Sequence, residues 1–142
     1  MDEKSIQILS HLRGDARKNL SVIGRELNMP ISTIHDKVKR FEKEAVKKFT
    51  ALIDFQKLGL NSVHMIIKCG TQKERVKEYL VHNQNINSIY ELNSGYDFLL
   101  EVVFKELKEL DHMITMLKQY DIRNIEEFVT KNEIKREGYL MG

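Results

Sequence analysis

Ser32, Thr33, His35, Asp36, Lys37, Lys39 and Arg40 crowd into nine consecutive residues, interrupted only by Ile34 and Val38. At helical spacing this leaves apolar groups on one side and hydroxyl, imidazole and cationic groups on the rest. Such a surface suits double-stranded DNA. A major groove admits one helix, whose N-terminal side chains reach base edges while Lys and Arg neutralise phosphates. On this reading Lys37, Lys39 and Arg40 hold phosphates, and Ser32, Thr33 and His35 lie nearest the base edges. Asp36 has the wrong sign for a phosphate. It either accepts a proton from a cytosine amino group or pairs with Arg40 four residues on. The plainer alternative is a three-helix bundle with a solvated charged face.

Other chemistry is sparsely represented. The five histidines, at 11, 35, 64, 82 and 112, share no metal-ligand spacing. No glycine loop of the phosphate-binding kind is present. Cys69 is the single cysteine, cannot form an internal disulfide, and has no neighbour marking it as a nucleophile. It fits as a small apolar residue facing helices. Met113 and Met116 read as packing. No catalytic residue, metal or cofactor is expected.

Three helices must position the 32–40 segment. The first opens with Asp2 as N-cap, with Met1 and Ile6 as a hydrophobic staple and Ile6, Leu9 and Leu12 as its stripe. Gly14 suits the left-handed turn that ends a helix. The second begins near Asn19, with Leu20, Ile23 and Leu27 on one face, and Asn28-Met29-Pro30 breaks it. The third runs from about Pro30 to Lys43, with Ile31, Ile34, Val38 and Phe41 inward. Residues 19–43 therefore read as a helix-turn-helix, in which the small Gly24 lets the helices approach and Asn28 supplies the turn. Residues 1–49 form this domain.

Residues 50–61 read as a linker, with Phe49–Ile53 a possible strand and Leu58-Gly59-Leu60-Asn61 a turn. From 62 to 142 the period changes repeatedly. Ser62–Cys69 alternates like a strand. Thr71-Gln72-Lys73-Glu74 is a capping box opening a helix to about His82. Ile86–Leu92 is a second strand, Asn93–Asp97 a turn and Phe98–Phe104 a third strand. A helix follows over about 105–119, then a last strand over Ile122–Thr130. The order βαββαβ is that of a ferredoxin-like sandwich, giving an α+β chain overall. Its helices cover one sheet face only. Yet the third strand is apolar at nearly every position, with Phe98, Leu100, Val102 and Phe104 on one face and Leu99 and Val103 on the other. The uncovered face calls for a second subunit, sheet against sheet.

The 142-residue length allows one average domain or two small ones, and small ones are marginal alone. Residues 1–49 carry 11 Lys/Arg against 7 Asp/Glu, whereas 50–142 carry 12 against 14. The basic front points to nucleic acid. No apolar run approaches the roughly 20 residues that cross a bilayer, and Met1-Asp2-Glu3-Lys4 does not begin a secretory signal. A cytoplasmic location is expected.

The opening Met1-Asp2 with Ile8-Leu9, then Asp15-Ala16-Arg17, the run Ser32–Glu42, Leu58-Gly59 and Gly95-Tyr96-Asp97 resemble the leucine-responsive/AsnC (Lrp/AsnC) regulators over nearly the whole chain. The resemblance implies a winged helix-turn-helix that binds DNA, with Arg17 joining the DNA-binding set. It implies dimers that assemble into tetramers, octamers or higher rings, with 47–53 pairing with its counterpart in a partner. It also implies an effector, an amino acid or related molecule, near Gly95, Tyr96 and Asp97. The alternative for those three is a plain hairpin turn. The chain departs from the pattern in four places. Ser5 stands where an aspartate is usual, and Lys37 replaces an arginine, exchanging a two-pronged donor for a point charge. Glu44-Ala45-Val46 lacks a glycine. Tyr120-Asp121-Ile122-Arg123 lacks a proline and a glycine.

A sequence-specific, oligomeric DNA-binding regulator is the reading these features favour. Two rivals differ in class. Sirohaem decarboxylases resemble the same two-domain family but act on a tetrapyrrole, with His or Arg of the second domain serving its carboxylates. A non-DNA-binding partner subunit of a related regulator is the other.

Overall fold

The computed structural model describes residues 1–141, which form two units. The first comprises Met1–Leu52 together with the C-terminal segment from Lys135; the second comprises Ile53–Ile134. The segment from 135, expected with the second domain, instead lies on the first.

Helices α1 (Glu3–Gly14), α2 (Leu20–Leu27) and α3 (Ile31–Glu44) build the first unit. Asp2 caps α1 by accepting the Ser5 N–H at 2.7 Å. The inward face of α1 is Ser5, Ile8, Leu9 and Leu12, at the i, i+3, i+4, i+7 positions that one helix face presents. The expected stripe placed Ile6 there, but Ile6 is only half-buried and Met1 is exposed. Gly14 stays helical, and Asp15 ends the helix in extended conformation with its N–H donating to the His11 carbonyl. Ile8, Leu9, Leu12, Ile23, Ile34, Val38 and Phe41 form the core. Ile31, expected inward, is exposed. The C-terminal segment runs along α1. Arg13 Nη2 donates to Glu137 at 2.8 Å, its Nε donates to the Tyr139 carbonyl at 3.1 Å, Ser10 donates to the Met141 carbonyl, and the Met141 side chain joins the core.

No strand forms at Phe49–Ile53, since residues 46–54 carry no regular structure. A strand needs a ladder partner for its N–H and C=O groups, and one copy of the chain supplies none here. Phe49, Leu52 and Ile53 stand exposed. A short 3-10 turn, Gln56–Leu58, closes on Gly59 at φ 74°.

The second unit is β1 (Asn61–Cys69), α4 (Lys73–His82), β2 (Ile86–Glu91), β3 (Phe98–Phe104), α5 (Leu107–Leu117) and β4 (Ile122–Val129). The sheet order is β2-β3-β1-β4, antiparallel throughout. This is the ferredoxin-like βαββαβ sandwich. Val63, Met65, Ile67, Phe98, Leu100, Val102 and Phe104 pack beneath Val76 and Leu80 of α4 and Leu110, Met113 and Leu117 of α5. The capping box expected at Thr71 does not form. Gln72 takes the cap position without a side-chain bond, because Thr71 bonds elsewhere. A carboxylate closes the start of α5 instead, with Glu109 Oε2 accepting the Glu106 N–H at 2.6 Å and the Lys105 N–H at 2.9 Å.

The opposite sheet face carries Ile66, Leu99 and Val103, half-buried, with Tyr90 and Phe128 exposed beside them. The register sets Ile66 across from Leu99, Leu99 across from Tyr90, and His64 between Glu101 and Phe128. Glu101, only 4% exposed, lies between Leu99 and Val103; it accepts from the Asn87 amide and lies 3.5 Å from His64 Nε2. The apolar face therefore has a polar centre. Strand alternation places residue 101 there, on the same face as 99 and 103.

Candidate nucleic-acid interface

Asn19, Gly24, Asn28 and Pro30 set the start of α2 and its turn into α3. Asn19 starts α2, its side chain accepting the Ser21 N–H at 2.9 Å. Asn28 ends it at φ 55°, ψ 50°, the left-handed conformation that Asn tolerates better than most residues. The Met29 N–H then donates to the Gly24 carbonyl at 2.8 Å. A Cβ on Gly24 would lie 2.7 Å from the Met29 carbonyl oxygen and 3.7 Å from Ile34 Cγ1. Only a residue without a side chain lets α2 come this close to the turn. Pro30, at φ −59°, precedes the first turn of α3.

Burial of Ile34, Val38 and Phe41 turns the other side of α3 outward. Ser32, His35, Asp36, Lys39 and Arg40 are exposed and Thr33 is half-buried. Positions 32, 35, 36 and 39 share one face, with Arg40 at its edge. Asp36 does not pair with Arg40. The Arg40 guanidinium instead lies 3.6 Å from Glu44 and 5.8 Å from the centre of the Phe41 ring. Arg17, exposed, is in the turn after α1, where its N–H donates to Asp15 Oδ1 at 2.9 Å. Lys37 does not join the outward set. Its ammonium donates to Ser5 Oγ at 3.2 Å and lies 3.5 Å from Asp2.

In the second unit two carboxylates hold the end of β1. Asp97 accepts the Cys69 N–H at 2.6 Å from one side. Asp121 accepts the Thr71 N–H at 2.9 Å and the Thr71 hydroxyl at 3.0 Å from the other, while its carbonyl accepts the Gly70 N–H at 2.8 Å. These bonds hold the Asp121 carboxyl below the usual carboxylate range, with the Thr71 main-chain bond contributing most. Asp121 sits at φ 50°, and any Cβ on Gly70 would collide with its carboxylate at 2.3 Å. Between these anchors lies an open cleft of about 700 Å³, lined by Lys68, Cys69, Gly70, Gly95, Tyr96, Arg123 and Asn124.

Gly95 and Tyr96 therefore reach the cleft wall. Asp97 is engaged in holding β1 and lies 3.6 Å from the Lys73 ammonium. The cations Lys68 and Arg123 were not among the sequence candidates. Neither has a motif around it, and the β1–β4 pairing places both at one end of the sheet. Burial, reinforced by the Asp97 charge, pushes the Cys69 thiol up to about 11. It stays protonated near neutrality and is a poor nucleophile.

Comparison with known proteins bears on both units. A family model described as winged helix-turn-helix DNA-binding matches residues 1–44. The chain is 31% identical over 121 residues to the HTH-type transcriptional regulator FL11 of Pyrococcus furiosus, covering 82% of this chain and 80% of that one. An AsnC family transcriptional regulator from Agrobacterium tumefaciens superposes with TM-score 0.83 at 18% identity, covering 99% of this chain and 96% of that one. A transcriptional regulator from Neisseria meningitidis in complex with L-Met superposes with TM-score 0.83 at 18% identity, covering 96% and 93%. Among the described residues no helix is long and apolar enough to cross a membrane. Helix-turn-helix, ferredoxin-like sandwich and sequence kinship over four fifths of the chain agree, and the chain belongs to the Lrp/AsnC family of DNA-binding transcriptional regulators.

Proposed function

We propose that this regulator reads double-stranded DNA through α3, with Ser32, Thr33 and His35 nearest base edges, Asp36 beside them, and Lys39, Arg40 and Arg17 on phosphates. The observation that carries this is the outward face of α3, polar at every exposed position from 32 to 40, set on a packed apolar face. A homodimer formed through the Ile66–Leu99–Val103 sheet face presents two such helices to half-sites one helical turn apart. Such dimers assemble further into tetramers, octamers or higher rings. An amino acid or related small molecule occupies the cleft at Gly95 and Tyr96, its carboxylate toward Lys68 and Arg123. This use of the cleft is supported by its paired cations and by the L-Met bound to the Neisseria regulator. The protein acts in the cytoplasm and is not an enzyme, in keeping with its regulator relatives.

Selection of bound fragments from genomic DNA, with and without a panel of amino acids, tests this reading. Arg40→Ala is expected to weaken binding to a selected fragment and to an unrelated duplex alike, lowering the salt slope by about 1. Unchanged affinity and slope would overturn the phosphate assignment. A coloured preparation that binds porphyrin and shifts no DNA would overturn the regulator reading itself.

A further inference from the structure

Ser5 and Lys37 lie 32 residues apart on different helices. In the folded unit they touch. The Lys37 ammonium donates to Ser5 Oγ at 3.2 Å. It also lies 3.5 Å from Asp2 Oδ2, while Asp2 Oδ1 accepts the Ser5 N–H at 2.7 Å. Ser5 is fully buried and the Lys37 side chain only 19% exposed. One carboxylate therefore caps α1 and anchors a cation from α3. We infer that Lys37 is a positioning residue, which fixes the setting of α3 against α1 through Ser5 and Asp2.

The chemistry balances as a unit. Serine at position 5 offers only a hydroxyl, which a compact ammonium can meet. The Lys37 side chain is mostly buried, and the exposed Asp2 carboxylate gives its ammonium a counter-charge at the surface. Reaching a phosphate would require Lys37 to give up both partners.

The remaining α1–α3 contact is apolar, with Ile8, Leu9 and Leu12 in one cluster with Ile34, Val38 and Phe41. Apolar packing is non-directional, so it resists separation better than rotation. A bond to a buried hydroxyl is directional. Side chains of α3 reach roughly 5–6 Å from its axis. A rotation of about 20° would then move their tips by about 2 Å, more than a hydrogen bond to a base edge tolerates.

The inference rests on the reading of α3 as the DNA-contacting helix, and its test separates the two. A fragment selected from genomic DNA and an unrelated duplex are titrated over a range of salt. Lys37→Met keeps the stem and removes the charge. It should lose about tenfold or more on the selected fragment and little on the unrelated duplex, with the salt slope unchanged. Lys37→Arg combined with Ser5→Asp should restore binding. Ser5→Ala, which keeps the lysine charge, should show the same selective loss, and it decides the matter if Lys37→Met does not fold. A slope lower by about 1 in Lys37→Met with equal loss on both duplexes, or an Ser5→Ala variant that binds normally, would overturn the inference while leaving DNA binding intact. An unmodified protein that binds neither duplex would overturn both readings.

Discussion

Single carboxylates in this protein do structural work that charge counting does not reveal. Asp121 holds Gly70 and Thr71, and Glu109 closes the start of α5. Both carboxyls are held below their ordinary values of 3.8 and 4.5, Asp121 chiefly by the Thr71 N–H and Glu109 chiefly by the Glu106 N–H. The sign follows from the folded state binding fewer protons. Each contribution is complete above the unfolded value and is lost as pH falls through the lower folded one. Thermal midpoints should thus drop as pH falls below about 4, and Asp121→Asn should flatten that acid limb. An acid limb identical in the variant would show that Asp121 contributes nothing to it. The sequence shows only that the 120–123 stretch has neither the proline nor the glycine that the resemblance leads one to expect. The fold shows why it can do without the glycine, since Asp121 itself takes the left-handed conformation and contributes the carboxylate.

At the scale of elements, the helix-turn-helix was almost fully legible. Caps at Asp2, Asn19 and Asn28 fall where their side-chain chemistry predicts. The role assigned to Gly24 is borne out by its 2.7 Å approach to the Met29 carbonyl. Gly24→Ala should therefore destabilise the first unit by up to about 2 kcal/mol, because overpacking costs about 1–3 kcal/mol and alanine's helix propensity returns about 1. Asn28→Gly should be nearly neutral. Denaturant unfolding of the two variants measures both, and a stabilised Gly24→Ala would contradict the close approach. The errors share one cause. Ile6, Ile31 and Thr71 were placed by local pattern, and each was displaced by a residue distant in sequence or by the exact pitch of the helix. Ile8 took the core position, and Asp121 took Thr71.

For the whole molecule, the sheet face opposite α4 and α5 is the decisive surface. It combines Ile66, Leu99 and Val103 with the buried Glu101 and its partners Asn87 and His64. Under the proposed pairing, Leu99→Asp places a charge in the centre of the interface. The variant should sediment as a monomer at concentrations where the parent is dimeric, with its circular dichroism unchanged. A dimer that survives the substitution would move the interface elsewhere. The exposed Phe49, Leu52 and Ile53 belong to the same question, since a strand there needs a second chain.

Periodicity, capping chemistry and turn residues by themselves determined the element order, the helix-turn-helix and the ferredoxin-like sandwich, because each is written in neighbours a few residues apart. The identity of α3 as the polar, basic helix was determined in the same way. Tertiary structure decided what depends on residues far apart. It turned Lys37 inward to Ser5 and Asp2, brought Lys68 and Arg123 to one cleft, engaged Asp97 in holding β1, and laid the C-terminal segment on α1. A helical pattern fixes which face a residue occupies. It does not fix which partner waits on that face, and hydrogen bonds and ion pairs are made with partners.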